Sequence, residues 1–62
     1  MFDIWEVVDE LAAKAYERGT KRISMSQIGK KLKDAEQNNA HNVQEVCKTL
    51  IELGYSVGVW KV

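Results

Sequence analysis

A mainly α-helical domain with a small β component is what this sequence predicts. Two observations carry the prediction. Apolar residues recur at three- and four-residue steps in three separate segments, and the stretch Tyr55 to Val62 is rich in β-formers with no helical period.

In the first segment Ile4, Val8, Leu11 and Ala15 form a stripe flanked by Trp5, Val7, Ala12 and Tyr16. Asp3, Glu6, Asp9, Glu10, Lys14 and Glu17 fill the other face, as expected of an amphipathic helix. Its start is acidic and Arg18 stands at its end, which suits the helix dipole. Gly19 can adopt the left-handed conformation that stops it. The connector Thr20-Lys21-Arg22-Ile23 has room for one or two strand residues. Ser24 and Gln27 then have the spacing of a capping box, opening a second helix with Met25, Ile28, Leu32 and Ala35 on one face and Lys30, Lys31 and Lys33 around its outside.

The run Glu36 to Asn42 breaks the periodicity, and its asparagines favour turns and caps. Asn42-Val43-Gln44-Glu45 offers a capping-type start for the third helix, and Asn39 offers one three residues earlier. The third helix is expected to turn Val43, Val46, Cys47, Leu50, Ile51 and Leu53 inward and to end at Gly54. Residues 55–62 read as one strand whose best partner is the segment around Ile23; a hairpin turning at Gly58 would have very short arms. Phe2, Trp5 and Tyr16 are expected mostly in the core. Trp60 belongs either to the core or, if exposed, to a partner-binding surface.

With 62 residues the chain reads as one domain, 1–62, with a core that rarely supplies more than about 3–5 kcal/mol. Cys47 is the only cysteine, so a disulfide within the chain is excluded, and with His41 as the only histidine no ordinary four-ligand zinc cage is expected. The acidic start does not resemble a signal peptide, and no stretch approaches the ~20 apolar residues of a membrane span. A cytoplasmic location is therefore expected. Cys47 falls on an inward face with no base in reach, no glycine-rich phosphate loop is visible, and a chain this short has little room for a substrate cavity. Neither catalysis nor a cofactor is expected.

The order helix, short strand, helix, turn, helix, strand resembles a winged helix-turn-helix domain. Arg22-Ile23-Ser24-Met25-Ser26-Gln27-Ile28-Gly29-Lys30-Lys31-Leu32 looks like the strand and second helix of that fold. Asn42 to Tyr55 sits where its recognition helix would be. The part from Ser26 to Leu32 is also similar to LOTUS (OST-HTH) modules, which bind RNA or protein partners. In element order the resemblance spans nearly the whole chain. A winged helix ends in two strands joined by a wing loop, whereas the residues after the third helix suffice for one strand. The wing is therefore expected to be reduced or absent.

The resemblance implies nucleic-acid binding, and the charge distribution agrees in part. The formal net charge is zero. Yet Lys14, Arg18, Lys21, Arg22, Lys30, Lys31 and Lys33 are opposed between residues 14 and 33 by Glu17 alone, giving that segment +6, against −4 for the first thirteen residues. Arg18, Lys21, Arg22, Lys30, Lys31 and Lys33 are the candidates for phosphate contact. Asn38, Asn39, His41, Asn42, Gln44 and Lys48 are the candidates for base contact, with duplex DNA the expected ligand. The lysines read equally well as a solvated face and the asparagines as cap chemistry. Glu45 and Glu52 on the third helix, with the zero net charge, support a second reading: a module that binds or inhibits a partner protein, with Trp60 as the candidate contact. A homodimer fits either reading.

Overall fold

The structure, a computed structural model, describes residues 2–59. Three helices and two short strands follow in the order α1 (Ile4–Glu17), β1 (Arg22–Ser24), α2 (Met25–Asp34), α3 (Ala40–Glu52) and β2 (Ser56–Gly58). The mainly helical class with a small sheet is the one the periodicities predict.

Local chemistry sets the helix starts. Asp3 accepts the Trp5 amide at 2.9 Å, the opening bond of α1. Ser24 and Gln27 form the expected capping box: the Gln27 amide donates to Ser24 Oγ at 3.2 Å and the Ser24 amide to Gln27 Oε1 at 3.1 Å. The third start lies at Asn39 rather than Asn42. Asn39 Oδ1 accepts the Asn42 amide at 2.9 Å, which places Asn42 inside the first turn of α3. From there the Asn42 side chain donates to the Gln37 carbonyl at 2.8 Å and ties the α2–α3 turn to α3.

All three helices stop in the same way. Beyond the cap residue, one amide reaches back to the third-last carbonyl and its neighbour to the second-last, the paired bonds of a Schellman motif. The pairs are Thr20 to Ala15 with Gly19 to Tyr16, Gln37 to Leu32 with Glu36 to Lys33, and Tyr55 to Leu50 with Gly54 to Ile51. The motif needs a left-handed residue. Gly19 and Gly54 supply it without strain, whereas in α2 it falls to Glu36 at φ 59°.

β1 and β2 pair in parallel, with Ile23 opposite Val57, and the Ser56 amide donates to the Lys21 carbonyl at 2.7 Å. The Ile23 segment is thus the partner of the last strand. That strand is shorter than the 55–62 expected: it spans Ser56–Gly58, Val59 lies outside it, and the rest of the expected range lies outside the described residues. Among the described residues no wing hairpin forms, and the chain at Gly58 pairs with β1 instead of turning back.

The core is Val7, Val8, Leu11, Ala15, Ile23, Ile28, Leu32, Val46 and Leu50, with Phe2, Ile4, Met25, Val43, Cys47, Tyr55 and Val57 packed around it. Several expected core residues are outside it. Tyr16 is 85% exposed and Trp5 53%, because Val7 and Val8 turn the buried stripe of α1 away from them. Ile51 and Leu53 are also exposed: Ile51 lies to the side of the face centred on Val46 and Leu50, and Leu53, though at helical spacing from both, is the cap residue beyond the last turn of α3. Ala35 caps α2 in the open instead of joining its apolar face.

Candidate nucleic-acid interface

The site is built along the seam between α1 and α2. Leu11 on α1 and Ile28 and Leu32 on α2 are buried core residues, so side chains beside them on each helix border the seam. Lys31 is half-buried there, and its Nζ meets Glu10 Oε2 at 2.7 Å. That hydrogen bond, with the lysine charge, lowers the Glu10 carboxyl below its ordinary value.

On either side of this ion pair lies an open cleft. One, of about 570 Å³, is lined by Phe2, Asp3, Glu6, Val7 and Glu10 of the start of the chain and by Lys31, Asp34, Ala35 and Gln37. It is acidic apart from Lys31. The other, of about 390 Å³, is lined by Leu11, Lys14, Arg18, Gln27, Lys30, Lys31 and Asp34. It is basic apart from Asp34. α2 therefore runs back along α1, and the charge segregation seen along the sequence becomes segregation along one groove.

The remaining candidate residues are dispersed. Lys21 extends over the Tyr55 ring, its Nζ 5.0 Å from the ring centroid, beside the strand pair. Arg22 is exposed on β1 and Lys33 on α2. Asn38 is exposed in the α2–α3 turn, and Asn39 has its side-chain oxygen occupied as the cap of α3. His41, Gln44 and Lys48 are exposed on α3 at steps of three and four residues, the same solvent face that carries Glu45 and Glu52. Trp60 lies outside the described residues.

The structure thus joins Arg18, Lys30 and Lys31 in one cleft, adds Lys14 and Gln27, and leaves the α3 candidates as a separate row. Lys14 is legible as part of the basic segment, and its field also reaches Glu10. Gln27 was legible only as a capping residue. Cys47, half-buried with its Sγ 3.5 Å from Met25 Sδ, has a thiol that burial pushes above its ordinary value. Among the described residues no group of three or more His, Cys, Asp and Glu side chains is placed to hold a metal ion, and no helix is long and apolar enough to cross a membrane.

No protein-family model, no curated protein and no solved structure matches this chain. Because one order of elements can host many activities, surface chemistry has to carry the functional reading.

Proposed function

We propose that this chain is a small cytoplasmic nucleic-acid-binding protein, a winged-helix-like regulator without catalytic activity, with duplex DNA as its ligand. The supporting observation is the state of its cations. Lys31 pairs with Glu10, while among the described residues Arg18, Lys30, Lys33 and Lys48 are exposed and form no ion pair. Charges held in water without carboxylate partners are free to replace the counterions condensed on a phosphate backbone, which is the main source of sequence-independent affinity. The α3 row, with His41, Gln44 and Lys48 interrupted by Glu45 and Glu52, suits weak base selectivity better than a dedicated reading helix.

A second reading, binding of a partner protein, is favoured by Trp5 and Tyr16, two aromatic residues of α1 left outside the core.

Titration of the nitrogen-15-labelled protein with a short mixed-sequence duplex, at low and near-physiological salt, separates the two. The proposal expects amide shifts between Lys14 and Lys33 and binding that weakens steeply with salt. Reversal of Lys30 and Lys33 to Glu should remove that binding. Lys31 is left intact because its reversal would set two carboxylates together at Glu10 and disturb the seam. A well-dispersed spectrum unmoved by duplex at low salt would reject the DNA reading and direct attention to the aromatic residues of α1.

A further inference from the structure

We propose that the basic cleft between α1 and α2 is a phosphate-binding seat, and that phosphates of a nucleic-acid backbone fill it. The second half of this statement rests on the nucleic-acid reading above; the first half does not.

Three features single out this cleft from the rest of the basic surface. The first is convergence. Lys14 stands in the last turn of α1 and Arg18, four residues on, caps that helix, while Lys30 faces the same space from α2, so donors approach an occupant from both walls. Lysines on a convex face, such as Lys33 or Lys48, offer one contact each. A phosphate group, with several oxygens spread around one centre, gains most where donors surround it.

The second feature is the fixed inner end. Lys31 is held by Glu10, so its charge is largely answered before any ligand arrives. Glu10 itself lines the acidic cleft and does not line the basic one. The space beyond the pair is left with Lys14, Arg18 and Lys30 against Asp34 alone. An anion entering it meets net positive charge, while an anion in the neighbouring cleft meets Asp3, Glu6, Glu10 and Asp34.

The third feature is the rest of its lining. Gln27, in the first turn of α2, contributes a neutral side chain whose Oε1 is already taken by the Ser24 amide; the positive start of α2 and the negative end of α1 both adjoin the cleft, so the helix dipoles offset and its sign is set by the side chains. At about 390 Å³ the cleft falls in the range of small-ligand sites, with Leu11 as its apolar floor.

The test uses two probes, tripolyphosphate and a short mixed-sequence duplex, each titrated into the labelled full chain. It compares the parent with the double variant Arg18→Glu, Lys30→Glu and with Lys48→Glu, which reverses a charge on α3 away from the cleft. Tripolyphosphate should shift the amides of residues 14–18 and 27–31 and saturate. The double variant should lose at least about tenfold in affinity, the equivalent of one good contact, and Lys48→Glu should lose far less. If the double reversal unfolds the domain, Arg18→Gln and Lys30→Gln carry the same comparison without adding negative charge.

Tripolyphosphate shifts scattered over the surface without saturation, or equal losses in the Lys48 variant, overturn the seat. Duplex binding with the cleft amides silent also overturns it, while leaving the nucleic-acid reading intact. Saturable tripolyphosphate binding in the cleft with no duplex binding upholds the seat, overturns its assignment to nucleic acid and points to a free phosphate-bearing ligand.

Discussion

Glu36 carries an unusual backbone conformation for its type. The third Schellman motif requires a left-handed residue, and a side chain with a Cβ adopts that region at a cost of about 1–2 kcal/mol. Glu36 is exposed, so its side chain returns little through burial. Glu36→Gly should therefore raise stability by roughly 0.5–1 kcal/mol after the extra freedom of glycine in the unfolded chain is subtracted. Thermal unfolding would register this as a rise of a few degrees. Ser24 is the opposite case, fully buried with its hydroxyl committed to the capping box. Ser24→Ala should cost about 1–2 kcal/mol by urea titration, and an unchanged midpoint would show that the box contributes nothing. Cys47 should react with a maleimide at mildly alkaline pH more slowly than a free thiol, since burial disfavours the reactive thiolate. At this scale the sequence was readable where residue type and conformation agree. Gly19, Gly54 and the Ser24–Gln27 pair announce their roles. Glu36 does not, because nothing in a glutamate signals positive φ; the short α2–α3 connection imposes it.

Among the elements, the strand pair depends on the helices more than on itself. Two three-residue strands have little stability alone, and this pair joins segments separated by the whole of α2 and α3. Ile23 is the anchor of β1, only 1% exposed and part of the core. Truncation to Ala at such a position costs about 2–5 kcal/mol. Set against the roughly 3–5 kcal/mol that a core this small provides, Ile23→Ala should leave much of the protein unfolded at 37 °C by circular dichroism. The Lys31–Glu10 pair links α1 to α2 with a definite pH dependence. The Glu10 carboxyl is depressed in the folded state, so its contribution is present above the ordinary glutamate value and fades as pH falls through the lowered one. Lys31→Gln should flatten that part of the acid unfolding curve and leave neutral stability little changed, because the pair is partly solvent-exposed. The pairing of the Ile23 segment with the last strand was legible, since no other β-rich stretch exists. Its parallel direction follows from the paths of α2 and α3, which a pattern of apolar residues does not encode. Helical spacing also overfilled the core: Trp5, Tyr16 and Ile51 flank true core positions, since periodicity alone does not say how wide the buried stripe is, and Leu53 keeps the spacing but stands past the last turn of α3.

For the molecule as a whole, the candidate site was half legible. The basic segment is plain in the sequence, but its division into a cleft, a strand-side lysine and a separate α3 row required the packing of α2 on α1. The whole-molecule prediction concerns salt. If the cleft seats one phosphate and Lys33 neutralises a second, the logarithm of the binding constant should fall against that of salt with a slope of about −2, near −0.9 per phosphate. A slope near zero in a complex that still forms would show that affinity comes from something other than the backbone.

The two clefts of opposite sign have a kinetic consequence. Glu6 in the first turn of α1 and Arg18 at its C-cap are twelve residues apart, about 18 Å at 1.5 Å per residue. In physiological salt a charge is felt over about 8 Å. An approaching polyanion therefore does not meet a neutral particle; it meets one end or the other. Encounters that begin at the acidic end are turned away, and those that begin at the basic end are retained. Tumbling of the protein, rather than its average charge, then governs how often a collision succeeds, and for a polyanion that seats in the basic cleft, neutralising the acidic end should speed association without adding a contact.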